Sequence, residues 1–122
     1  VACSIRSAPP ESRNFTYTTP SGGYIRWTMY QVNDLVTIAG QTTAVDVENV
    51  MYYNIPKVLV DCATVTAGNL ADHAEGSVVY FDPTTNAITT VAGALAACGF
   101  VTLQPAADAV LCEIHLQGDL AI

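Results

Sequence analysis

The sequence predicts an all-β protein, a small sandwich or barrel of about eight short strands. Three observations carry that expectation. From Tyr24 onward apolar residues recur with a period of two, the spacing of a half-buried strand. Turn-forming residues punctuate the chain at short intervals, as in sandwiches and barrels. Only one stretch, TAGNLADHAEGS, has helical character, and Gly68 and Gly76 confine it to a short helix.

The elements follow in order. Residues 1–23, VACSIRSAPPESRNFTYTTPSGG, hold Pro9, Pro10, Pro20 and the Gly22, Gly23 pair, which suppress regular structure. They read as an extended N-terminal arm, within which FTYTT has strand character, ahead of a single β domain over 24–122. YIRWTMY reads as a strand with Ile25, Trp27 and Met29 on the core face and Tyr24, Arg26, Thr28 and Tyr30 opposite. VNDLVTIAG follows with a bend at Asn33 and Asp34, then TTAVDVENV and YYNIPKVLV. Pro56 assigns the last of these to an edge or a bulge, because proline cannot donate to a central ladder.

The final third holds two hairpins. SVVYFD and AITTV flank DPTTN, where Asp82-Pro83 starts a turn and Asn86 tolerates the left-handed backbone. LAACGFVTL and AVLCEIHLQ flank a loop at Pro105–Asp108. A tight closure there pairs Leu103 with Val110, Val101 with Cys112 and Gly99 with Ile114. On the opposite face it sets Phe100 against Glu113 and Cys98 against His115. Phe100 and Leu111 then belong to an outer surface suited to cover by another subunit, and Tyr24 and Tyr30 are further interface candidates. The same register turns Cys98 and Cys112 to opposite faces, against a disulfide between them.

Composition bounds the function. Charged residues make up 12% of the 122-residue chain and apolar residues 51%, against about 25% charged in an average soluble domain. So little charge points to a surface covered by copies of the chain or by a partner. The charge is uneven as well: Arg6, Arg13 and Arg26 face only Glu11 in residues 1–26, whereas Lys57 stands against ten acidic residues in 27–122. An acidic body excludes nucleic acid as its partner, since phosphate recognition needs a clustered basic face. No stretch has the roughly 18 consecutive apolar residues of a membrane span or the charged and apolar regions of a leader peptide. Neither a membrane partner nor an uncleaved leader peptide is expected.

Chemistry is sparse. Cys3, Cys62, Cys98 and Cys112 have no metal-site spacing and read as free thiols of a reducing compartment. His73 stands beside Asp72 and near Glu75, but adjacent helical positions do not share a face. Asp46 and Glu48 share one face of an expected strand and make a candidate carboxylate pair. No nucleophile elbow, phosphate loop or zinc-protease motif occurs. Neither a catalytic nor a metal site is expected, and no cofactor.

The order of segments NIPK (54–57), EGSVVYFD (75–82), NAITT (86–90), CGFVTL (98–103) and AVLCEIHLQG (109–118) resembles the capsid decoration, or cement, proteins of tailed bacteriophages. Phe81 stands where that family carries Trp. The resemblance implies a β-tulip-like domain that assembles as an oligomer, a homotrimer or else a dimer, on the outer surface of an icosahedral head. It implies synthesis in the host cytoplasm, the major capsid protein as partner, and no catalysis. Arg6, Arg13, Phe15 and Tyr17 of the arm then become anchors on the capsid or a neighbouring subunit. A β-sandwich binding module for carbohydrate or a host surface, such as a fibre head domain, is the alternative.

Overall fold

A computed structural model describes residues 13–33 and 35–117. They form two antiparallel sheets packed as a sandwich. The first holds β1 (Arg13–Thr18), β2 (Met29–Val32), β3 (Leu35–Ala39) and β4 (Glu48–Tyr53), in the order β1-β4-β3-β2. The second holds β5 (Ile55–Asp61), β6 (Val78–Asp82), β7 (Ala87–Thr89), β8 (Ala96–Leu103) and β9 (Leu111–Leu116), in the order β5-β9-β8-β6-β7. A single 3₁₀ turn, Leu70–His73, is what the helical stretch becomes.

The main core lies between the sheets. Met29, Val36 and Ile38 of the first face Val58, Val60, Val79, Phe81, Val101, Cys112, Ile114 and Leu116 of the second. A smaller cluster of Tyr24, Val32, Ala39 and Met51, with Phe15, Tyr17 and Tyr30 against it, fills the other side of the first sheet. β3 is therefore buried on both faces, with Val36, Thr37, Ile38 and Ala39 all inside.

Of the expected arm, residues 1–12 lie outside the described residues, and Arg13–Thr18 form an edge strand paired with β4 from Arg13↔Tyr53 to Thr18↔Glu48. FTYTT is thus part of the sheet. The described residues hold nine strands where about eight were expected, and this is the added one.

YIRWTMY departs from its expected alternation. Trp27 adopts a positive φ of 62° in a turn, so Tyr24 and Thr28 are buried and Ile25 is exposed. Met29 and half-buried Trp27 keep to the main core as expected, Trp27 lying between the Arg26 guanidinium, 4.6 Å from its ring, and Tyr52. TTAVDVENV is likewise broken by a turn at Val45 and Asp46, where Asp46 has φ 70°. Asp46 and Glu48 therefore do not share a strand face.

Pro56 behaves as its chemistry requires. β5 is an outer strand, and its pairing with β9 is irregular between Ile55 and Val58. The 82–87 hairpin also forms as expected: Asp82 pairs with Ala87, the Asp82 carboxylate accepts from Thr84 N at 2.9 Å, and Asn86 takes φ 52°.

The β8–β9 register is two residues from the expected one, with Val101 opposite Ile114, Phe100 opposite His115 and Gly99 opposite Leu116. The tight loop is prevented from outside the hairpin. Asp108 N donates to Val65 O, and Val65 and Cys62 N donate to Ala109 and Val110 O, so residues 108–110 serve the segment after β5. A shift between Val79 and Tyr80 leaves Cys98 as an extra residue in β8 and turns it inward. Cys98 and Cys112 are both fully buried, correcting the expected opposite faces, and Cys62, Cys98 and Cys112 are free thiols. Gly99 is required where β8 crosses β9, because a Cβ there would run into the His115 carbonyl.

Candidate interaction surfaces

The sparse titratable groups weighed from the sequence, His73 with its acidic neighbours and Cys98 with His115, are not brought together. His73 is buried by the 3₁₀ turn, its Nδ1 3.0 Å from the Asn69 carbonyl oxygen, which assigns the ring proton to Nδ1. Asp72 and Glu75 beside it point to solvent. Cys98 is interior, whereas His115 is half-exposed against Phe100. Among the described residues no group of three or more His, Cys, Asp or Glu side chains is placed to hold a metal. Burial pushes the Cys62 thiol up to about 11 and those of Cys98 and Cys112 up to about 12. All three stay protonated at neutral pH, the opposite of a reactive cysteine.

Of the anchor candidates, Arg6 lies outside the described residues. Arg13, Phe15 and Tyr17 stand on one face of β1, Arg13 exposed and the two rings half-buried against the smaller cluster. Phe15 meets Tyr17 edge-on at 6.4 Å and Tyr53 at 5.9 Å, making a short aromatic run along the sheet edge. Asn14, Thr16 and Thr18 occupy the other face and are exposed.

Tyr24 is corrected as an exposed interface residue. It is buried with its ring 4.4 Å from that of Tyr30, and the Tyr30 hydroxyl accepts from Ile25 N at 2.9 Å. Burial raises the Tyr24 phenol, and Tyr17 and Tyr30 add to the rise. The pair therefore anchors the loop before β2, with Tyr24 buried and Tyr30 half-buried. Near it an open cleft of about 480 Å³ is lined by Gly22, Gly23, Ile25, Thr43, Ala44 and Val45. Beneath the cleft, Asn49 Nδ2 donates to Gln41 O at 2.7 Å and to Thr43 Oγ1 at 2.9 Å, and Thr43 and Thr19 share a hydroxyl bond of 2.6 Å.

The outward face of the five-stranded sheet carries Phe100 and Leu111 as expected. Phe100 lies flat on the His115 imidazole, the ring planes 6° apart and the centroids 5.1 Å apart. Val78 is opposite Phe100 on the neighbouring strand and is exposed, so Val78, Phe100 and His115 form one row across β6, β8 and β9. In the next row Leu59, also exposed, stands opposite Glu113, whose Oε1 accepts from the Thr102 hydroxyl at 2.8 Å. Leu111 is half-buried opposite Asp61. Val78 and Leu59 were not singled out from the sequence. The period of two in SVVYFD does contain the signal, since Val79 and Phe81 inward require Val78 and Tyr80 outward.

This surface sets an apolar and aromatic row beside the charged Lys57, Asp61 and Glu113 of β5 and β9. No family model, curated protein or solved structure matches the chain.

Proposed function

We propose that this chain is a non-enzymatic structural subunit that coats the outside of an icosahedral phage head, binding the major capsid protein and copies of itself. The observation that carries the reading is the row of exposed Val78 and Phe100 and half-exposed His115, with exposed Leu59 beside it, on the outward face of the five-stranded sheet in a chain with only 12% charged residues. Covering exposed apolar area supplies association free energy, and repetition over a lattice multiplies modest contacts. The segment order quoted above gives the kind of partner. Residues 1–12, with Arg6, are a second contact in this reading, ahead of the β1 edge.

The test is sedimentation with undecorated heads. The full chain is expected to cosediment and to raise the melting temperature of the heads, and Phe100→Asp to weaken binding at least tenfold without altering the circular dichroism. Unchanged binding by Phe100→Asp together with a variant lacking residues 1–12 overturns the reading. The flat Phe100–His115 pair also suits stacking on a sugar ring. Glycan-array binding that Phe100→Ala abolishes, with no affinity for heads, would select that carbohydrate-binding module instead.

A further inference from the structure

Among the described residues, the free side of β1 is the least protected sheet edge. The other outer strands are blunted in ways that usually prevent pairing. β5 carries Pro56, Lys57 and an irregular ladder. β7 has three residues, and its Ile88 carbonyl already accepts from Ala63 N. β2 has four residues. β1 has six, with no proline and Arg13 as its one charge.

The direction of its free hydrogen-bonding groups follows from the ladder. Val50 O of β4 accepts from Gly40 N on the β3 side at 2.8 Å, and Val47 O accepts from Thr19 N on the β1 side at 2.9 Å. Bonding direction alternates along an antiparallel strand, so odd-numbered residues of β4 bond β1. The register sets Met51 against Phe15 and Asn49 against Tyr17, so odd-numbered residues of β1 bond back. Asn14, Thr16 and Thr18 therefore turn their N–H and C=O groups outward, and their side chains are exposed too.

We propose that this edge pairs antiparallel with β1 of a second copy, about a two-fold axis at Thr16. That register gives three hydrogen-bonded pairs: Asn14 with Thr18 of the second copy, Thr16 with its own counterpart, and Thr18 with Asn14 of the second copy. A shift of one step either way leaves two such pairs within the strand. The shift toward the C-terminal end also brings Pro20, which has no N–H, against Asn14.

Side chains select the same register. It sets Phe15 against Tyr17 of the second copy, and Tyr17 against Phe15, in the closer non-hydrogen-bonded positions where aromatic pairs are favourable. The aromatic run from Tyr53 through Phe15 would thus continue across the axis. Arg13 meets Thr19 rather than its own counterpart, so no like charges face each other. The contact is isologous, as a two-fold interface must be, and it does not depend on the capsid reading, since it forms between copies in solution.

The experiment measures the solution mass of the full chain, without capsids, and then its cross-linking. The wild type is expected to sediment as a dimer or an even-numbered oligomer. Thr16→Pro removes an outward N–H and no bond to β4, so it is expected to halve that mass while leaving the circular dichroism unchanged. In a Cys3→Ser background, Thr16→Cys is expected to form an intermolecular disulfide with oxidised glutathione. Asn14→Cys alone should not, and Asn14→Cys with Thr18→Cys should. A monomer or a trimer in the wild type, or Asn14→Cys cross-linking as readily as Thr16→Cys, overturns the proposal. Should Thr16→Pro fail to fold, the cross-linking pattern decides by itself.

Discussion

At Asn49 one carboxamide holds together parts of the chain that lie outside the nine strands. It bridges the Gln41 carbonyl and the Thr43 hydroxyl, which in turn meets Thr19 ahead of the 20–28 loop. Removing a buried donor leaves its acceptors unpaired, at about 1–3 kcal/mol. Asn49→Ala is therefore expected to cost about 2 kcal/mol in urea unfolding, and Asn49→Asp no less, because it replaces the donor with a buried charge. The sequence shows Asn49 only as one polar residue in VENV, since its partners are set by two turns. The same limit explains the misread aromatics. A period-two reading of YIRWTMY assumes extended backbone; the left-handed turn at Trp27 buries Tyr24 and Thr28 and exposes Ile25, while Met29 and Trp27 stay with the main core.

At the scale of elements, legibility depended on whether a turn is decided locally. DPTTN carries its own instructions: the Asp82 carboxylate accepts from Thr84 N, and Asn86 takes the left-handed position. Asn86→Gly is expected to leave stability unchanged or slightly raised, whereas Asn86→Val should cost about 1–2 kcal/mol by placing a β-branched residue at positive φ; thermal melts of the two variants check both. The loop between β8 and β9 is decided elsewhere. Its Asp108, Ala109 and Val110 are engaged by Val65 and Cys62, contacts more than forty residues away in sequence, and a local reading closed it two residues too tightly. Pro56 lies between these cases. One missing N–H was enough to assign β5 to an edge, without showing which edge.

Over the whole molecule the period-two pattern and the turn spacing made the all-β sandwich legible, and low charge pointed to covered surfaces. Which apolar side chains share an outward face required the sheet order, because Val78 meets Phe100, and Phe100 meets His115, only across three strands. The buried thiols give the molecule a directional pH response. Folded Cys98 and Cys112 ionise near 12 and Cys62 near 11, whereas an unfolded thiol ionises near 8.5. Stability from these groups is complete below about pH 8 and is lost as pH rises through 8.5 toward 12, since the unfolded chain releases its protons first. Urea midpoints are expected to fall steadily above about pH 9. At neutral pH, iodoacetamide should label the three thiols only after unfolding, as read by peptide mass spectrometry.

The bridge between Cys62 and Ile88, with Ala63 N bonded to the Ile88 carbonyl at 2.9 Å, bears on how the chain reaches this structure. It runs parallel, the one such bridge among the described residues, and ties the end of β5 to β7, the far strand of the same sheet. Hairpins 78–89 and 96–116 can close early because their partners are near in sequence. This contact closes a longer loop than either hairpin, so it is expected to form after them, as non-local pairing is slower. The Ala63 amide is then the natural reporter of that step in pulsed hydrogen exchange, gaining protection after the amides of both hairpins.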